Sequence, residues 1–74
     1  MAARTLTAVI TREGQIFVAL CPELDIASQG ETVEDARSKL KEALELFFET
    51  APPEEINRRG LSEVYVTNVE VAVA

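Results

Sequence analysis

The feature that most constrains this chain is an apolar stripe with helical spacing, which starts at a helix cap and stops at two prolines. Thr32 is a favourable N-cap residue, Glu34 and Asp35 place negative charge in the first turn, and Asp35 occupies the capping-box position. The residue before Pro52 is driven out of the helical region, so the helix is predicted from residue 33 to about residue 50. The stripe consists of Val33, Ala36, Leu40, Ala43, Leu44, Phe47 and Ala51.

Segments before this helix alternate with period two, which predicts strands. Residues 5–12 alternate between apolar side chains and threonine, as is typical of a strand with one outward face. Glu13-Gly14 predicts a two-residue hairpin turn, because glycine tolerates positive φ. Residues 15–21 predict a second strand that is apolar on both faces, and such strands are usually central or covered on both sides. Pro22 ends this strand because it has no ladder donor.

The rest of the chain adds a short strand before the helix and a long strand after it. Residues 26–28 predict a third strand, and residues 52–60 predict a short helical turn that ends at Gly60. Residues 63–74 predict a long final strand. One face of that strand carries Tyr65, Thr67, Val69, Val71 and Val73. The order β-β-β-α-β predicts a single α+β domain over residues 1–74, a two-layer fold with an antiparallel sheet and one long helix.

Charge and cysteine content exclude several functional classes. The 74 residues carry 13 acids and 7 bases, for a net charge of −6 at pH 7. Direct nucleic-acid binding is not expected, since phosphate contacts need clustered Lys and Arg, and the acidic excess favours a basic partner. With one cysteine and no histidine, no usual metal or cofactor site is expected. No stretch suits a membrane span or a signal peptide, and a single unpaired cysteine fits a reducing compartment, so a cytoplasmic protein is expected.

The acid-rich stretch CPELDIASQGETVEDA, residues 21–36, is the one candidate for a catalytic loop. Its carboxylates match no metal-loop spacing, and helix capping already explains two of them. Cys21 would need a neighbouring base to act as a nucleophile, and the usual partner, histidine, is missing. We therefore interpret the stretch as a structural elbow, in which Pro22 ends a strand, Gly30 permits a tight approach and Thr32 starts the helix. The chain is predicted not to be an enzyme.

The same stretch, extended to CPELDIASQGETVEDARSKLKEALELFFE, resembles the signature of the HicB-like antitoxin family. In that family a central strand ends in a Pro-acid-Leu turn, and Ser-Gln-Gly-acid-Thr then leads into a helix that opens with an acid and alanine. The resemblance covers residues 4–49 well, and its most specific part is the set at residues 28–36. It implies a partial RNase H-like fold without that fold's catalytic acids. It also implies a non-catalytic antitoxin module that binds and neutralises HicA, a small basic mRNA-cleaving toxin.

Many members of that family continue into a helix-turn-helix or ribbon-helix-helix segment that binds their own operator. This chain stops at Ala74, directly after the last predicted strand. We therefore expect a short member with the N-terminal type of domain only and no C-terminal DNA-binding domain.

The outer face of the predicted helix is the candidate surface for a partner. The acids Glu34, Asp35, Glu42, Glu45 and Glu49 lie opposite the apolar stripe, with Lys41 among them. The residues predicted to bind a partner are Glu42, Glu45, Glu49 and Leu46, and we call these four residues the acidic ridge. Like charges at this spacing cost a few tenths of a kcal/mol each in an isolated helix, and a cationic partner would neutralise them. The same pattern is typical of a solvated helix face, so both interpretations stay open.

Two functional hypotheses follow from these observations. The first is the antitoxin module, and the alternative is a stand-alone structural or regulatory oligomer without a toxin partner. A short chain buries little area, and one helix cannot cover both faces of an apolar second strand together with a valine-rich last strand. We therefore expect a homodimer, the simplest closed form, or a tetramer.

Overall fold

The computed structural model of the protein describes residues 4–59 and 63–74. Its elements are β1 (Val9–Glu13), β2 (Ile16–Cys21), β3 (Ile26–Gly30), α1 (Val33–Thr50) and α2 (Pro53–Arg59). The strands form one antiparallel sheet in the order β1-β2-β3, and the long helix α1 follows it. This arrangement confirms the predicted α+β class, with an antiparallel sheet and one long helix.

Both hairpin connections depend on residues with left-handed backbone geometry. Glu13 pairs with Ile16, so the first loop is Gly14-Gln15 and the predicted turn at Glu13-Gly14 is wrong by one residue. The alternating pattern predicts the two strands but does not determine which residues form the last pair before the turn. Gly14 has a φ of 65°, which a residue without a Cβ adopts at little cost. The turn between β2 and β3 contains Asp25 at a φ of 55°, a conformation that aspartate tolerates better than most residues.

The hydrophobic core lies between α1 and one face of the sheet. Its buried residues are Ala19, Cys21, Leu24, Ala36 and Leu40. Around them pack the partly buried side chains of Leu6, Ile10, Phe17, Ile26, Leu44, Phe47 and Phe48. The second strand is central, as predicted, and contributes Ala19 and Cys21 to the core. Its other face, with Ile16, Val18 and Leu20, is only half-buried, because α1 covers one face alone.

Helix α1 begins at the predicted cap. The Thr32 side chain accepts a hydrogen bond from the Asp35 N–H at 2.9 Å, and the Asp35 carboxylate accepts one from the Glu31 N–H at 3.0 Å. A Cβ at Gly30 would lie 2.5 Å from the backbone nitrogen of Ala36, closer than real contacts allow. The end of β3 therefore touches the first turn of α1, which confirms the tight approach predicted at Gly30.

The predicted stripe is confirmed along most of α1. Ala36 and Leu40 are buried, and the later stripe residues are half-buried. Val33 is an error of the prediction, because its side chain is 48% exposed in the first turn, ahead of the point where α1 meets the sheet. Phe48, which lies off the predicted stripe, is half-buried, and its ring meets that of Phe47 edge-on at a centroid distance of 5.3 Å.

Residues 63–74, which we call the valine segment, form no strand, so the predicted final strand is wrong for this chain alone. The alternating pattern is present, but a strand also requires a neighbouring backbone with which to exchange hydrogen bonds. The side chains of residues 65–74 are all exposed, including Val69 at 79% and Val73 at 86%.

Two other boundaries differ from the prediction. The first strand begins at Val9 and not at residue 5, because the Thr7 N–H donates to the carboxylate of Glu23 and not to a strand carbonyl. The third strand extends to Gly30, two residues beyond its predicted end. The helical turn predicted in residues 52–60 is confirmed as α2, and its predicted end at Gly60 lies outside the described residues.

The molecule exposes more surface than a compact chain of its mass. Its accessible area is 6072 Å², whereas a compact monomer of this mass exposes about 4,500 Å². Its radius of gyration is 14.6 Å, against about 11 Å for a compact domain of this length. The exposed valine segment, which is not part of the sheet, increases both the accessible area and the radius of gyration.

Candidate functional site

The acidic ridge lies on one exposed face of α1. At about 100° per residue, its four positions fall within an arc of roughly 100°. All four side chains are exposed, and Leu46 is 58% exposed between the carboxylates. The structure therefore brings together the four residues predicted for partner binding, and the partner itself stays a prediction.

In the part of the chain that the structure describes, no ion pair joins a ridge carboxylate to a positive side chain. The ion pairs found there join Asp35 to Lys39 and Glu55 to Arg58, one at each end of the helical region. Helix α1 also has no basic residue in its last turn, where a cation would be favourable. Glu42, Glu45 and Glu49 therefore form an acidic face without direct ion pairs, with Lys41 four residues before Glu45 on the same helix.

An open groove runs between α1 and the chain segment that precedes β1. We call it the α1 groove; its volume is about 970 Å³. Its apolar lining comprises Leu6, Ala8, Leu40, Leu44 and Phe48. Charged side chains stand along it as well, namely the cations Arg4, Arg37 and Lys41 and the ridge carboxylates Glu45 and Glu49. The ridge therefore borders this groove on one side, while Glu42 and Leu46 lie outside it.

The groove exists because α1 sits off-centre on the sheet. The helix packs most closely against β3, less against β2 and least against β1. The Arg4 guanidinium lies 5.9 Å from the centroid of the Phe48 ring and closes one end of the opening. Residues 4–8 and α1 are far apart in the sequence, so no local sequence pattern predicted the α1 groove.

The carboxylate of Glu23 ties the start of the chain to the turn after β2. The Thr7 N–H donates to both carboxylate oxygens, at 3.2 and 3.0 Å, and the Thr7 hydroxyl donates to one of them at 2.8 Å. Partial burial alone would raise the pKa of Glu23, but the hydrogen bonds from Thr7 outweigh it and the pKa lies below its ordinary value. Glu23, one of the carboxylates in the acid-rich stretch at residues 21–36, therefore has a structural role that the sequence analysis did not find.

Cys21 is poorly placed to act as a nucleophile. The side chain is buried in the core, and its thiol donates to Glu23 Oε1 at 3.5 Å. Burial raises the pKa of the Cys21 thiol, and the neighbouring carboxylate acts in the same direction. The thiolate, which is the reactive form, is thus disfavoured at neutral pH.

We expect the Glu23 contact to give this protein an acid-sensitive component of stability. Glu23→Gln should lower the free energy of unfolding by about 1 kcal/mol at pH 7. Because the folded-state pKa is lowered, the contribution is complete above the unfolded value near about 4.3 and is lost as the pH falls through the folded value. Urea unfolding of both proteins at pH 7 and at pH 3 measures the difference.

The matched control for this experiment is Glu42→Gln, at an exposed position on the ridge. That substitution should change the free energy of unfolding by less than about 0.5 kcal/mol at either pH. If Glu23→Gln loses the same free energy of unfolding at pH 7 and at pH 3, the stabilising contact with Thr7 does not depend on the negative charge of Glu23.

Comparisons with protein-family models, with curated proteins and with solved structures gave no match. Among the described residues, no group of three or more potential side-chain ligands is placed to hold a metal ion. Over the same residues, no helix combines the length and the apolar character needed to cross a membrane.

Proposed function

We propose that this chain is a non-catalytic module of the HicB antitoxin type, which binds and neutralises a small, basic, mRNA-cleaving toxin of the HicA type in the cytoplasm. The observation that carries the proposal is the acidic ridge, with three carboxylates and the exposed Leu46 on one face of α1. The signature stretch that ends at Ala36, and the net charge of −6, support the same proposal. The proposal includes the partial RNase H-like fold that the resemblance implies.

The mechanism is occlusion of the toxin by charge and shape. A ribonuclease surface binds the phosphates of RNA with cationic side chains, and the ridge offers carboxylates as alternative anions for the same side chains. Leu46, surrounded by the charges of the ridge, supplies an apolar anchor that the partner would desolvate. Complementary charge accelerates encounter more than it strengthens the final complex, so the association rate should fall steeply as salt is raised.

The test is a binding experiment with the small basic protein encoded by the reading frame next to this one. Glu42→Lys, Glu45→Lys and Glu49→Lys together reverse the ridge, and we expect the triple variant to lose binding and protection of mRNA in co-expression. Glu13→Lys, Glu31→Lys and Glu70→Lys together provide the control, since they change the net charge equally at exposed positions outside α1. Equal binding by wild type and ridge variant would reduce the ridge to a solvated face.

The stand-alone oligomer is a second candidate function, favoured by a separate observation. The valine segment and the outer face of the sheet leave apolar surface uncovered, which a self-associating protein would bury. If no small basic protein is encoded nearby or co-purifies, the oligomer replaces the antitoxin as the proposed function.

A further inference from the structure

The sheet has an open edge beside the α1 groove. β1 is an edge strand, and residues 4–8 continue its line without joining the ladder. An additional strand laid against this edge would place alternate side chains under α1, where Leu44 and Phe48 are only half-buried. The α1 groove can therefore accept one more strand beside β1, whose alternate side chains would contact the apolar residues that line the groove.

The valine segment has the composition of the strand that fits this position. Its alternate residues Val69, Val71 and Val73 are 79, 69 and 86% exposed. Segments rich in β-branched residues with period-two alternation pair readily with an open sheet edge. The polar side chains in the segment's central part, Asn68 and Glu70, lie on the other face and would point away from the groove.

The segment does not occupy the groove of its own chain. Residues 63–65 lie beside Arg4, Thr5 and Leu6, where they help to line a cavity of about 340 Å³. From there the segment continues with every side chain exposed. In a dimer whose two-fold axis passes close to residues 4–6, a segment that leaves the molecule at this point would lie beside the corresponding region of the second copy.

The amount of exposed surface matches such an exchange. The chain exposes roughly 1,600 Å² more than a compact monomer of its mass. A typical stable interface buries about 800 Å² on each partner. A reciprocal exchange buries the segment and the groove of both copies, so the excess is large enough to form a stable dimer.

We propose that this chain forms a homodimer in which residues 65–74 of each copy lie along residues 4–8 and β1 of the other copy as a fourth strand. The side chains of Val69, Val71 and Val73 fill the α1 groove of the second copy. The proposal does not rest on the antitoxin function; the segment would contact Glu45 and Glu49 of the acidic ridge, which line the α1 groove, but the valine substitutions below leave the ridge unchanged.

The first test is the mass in solution. The full chain at micromolar concentration should have twice its monomer mass of 8.1 kDa by light scattering or sedimentation. Val69→Lys with Val71→Lys buries two cations against Arg37 and Lys41 and should weaken the dimer at least about a hundredfold. Asn68→Lys with Ala72→Lys adds the same charge on the opposite face and should weaken it less than about tenfold.

These substitutions are at exposed positions, so circular dichroism should show that both variants retain the helix. A wild-type mass of 8.1 kDa at micromolar concentration would overturn the proposal. Equal weakening by the two double variants would also overturn it, because the alternate faces of the segment would then be equivalent.

The second test locates the segment. A photoreactive residue at position 71 in isotopically heavy chains, mixed with unlabelled light chains, should cross-link to residues 4–8 or to α1 of the light chain. Cross-links within one chain only would indicate that each chain fills its own groove. Cross-links between two valine segments, or to the outer face of the sheet, would equally exclude exchange through the groove.

Discussion

Leu40→Ala is expected to unfold most of the protein at ambient temperature. Leu40 is 2% exposed and is one of two leucines in a core whose other members are two alanines and a cysteine. Removing its side chain should cost about 2–5 kcal/mol, as large-to-small substitutions in protein cores do. A chain of this size has roughly 3–5 kcal/mol of stability to lose, so the population of folded molecules should fall sharply.

Urea unfolding followed by far-UV circular dichroism measures this effect. Leu46→Ala is the matched control on the same helix, because Leu46 is 58% exposed and its truncation should cost less than about 0.5 kcal/mol. Similar effects at the two positions would mean that the buried and exposed faces of α1 are wrongly assigned.

Gly30→Ala is expected to be nearly as damaging, although it adds only one methyl group. The new Cβ would lie 2.5 Å from the backbone nitrogen of Ala36 and 2.8 Å from the backbone carbon of Asp35. Backbone atoms cannot rotate away as a flexible side chain does, so α1 must shift relative to β3. We expect a loss of about 1–3 kcal/mol or more, as in overpacked cores.

The comparison for Gly30→Ala is Gly14→Ala, which separates crowding from backbone strain. A Cβ at Gly14 meets no atom within 4 Å, and its cost arises from a φ of 65°. That strain amounts to about 1 kcal/mol. Amide hydrogen exchange should show the added damage of Gly30→Ala at the Thr32–Asp35 cap. If Gly30→Ala is as stable as Gly14→Ala or more stable, the close contact between Gly30 and the backbone of Asp35 and Ala36 is contradicted.

Local signals predicted the elements whose determinants are local. The Thr32 cap, the prolines after Ala51 and the stripe between them lie within one helix length, and α1 has the predicted bounds. The approach at Gly30 followed from the same reasoning, because glycine stood between a strand and a cap. The turn residue of the first hairpin was misplaced, since alternation leaves the closing pair undetermined, and the ends of β1 and β3 were misplaced as well.

Features that join distant parts of the chain were not predictable in this way. Thr7 and Glu23 are sixteen residues apart, and nothing in the spacing of acids distinguishes a hydrogen-bonded carboxylate from a solvated one. The α1 groove likewise combines residues 4–8 with a helix that starts at Val33. The predicted strand in the valine segment was wrong for a related reason. Alternation describes one strand of a pair, whereas a strand also requires a neighbouring strand, which the sequence pattern does not identify.

The order of the strands has a consequence for how the protein reaches its fold. Each element packs on the one that precedes it in the sequence, with β1 beside β2, β2 beside β3 and α1 closest to β3. Such a topology needs only short loops to close, so this part of the chain should fold rapidly in a unimolecular step. Engagement of the valine segment by a second copy would follow as a separate bimolecular step. Refolding should accordingly show a fast phase that is independent of protein concentration and a slower phase whose rate rises with it.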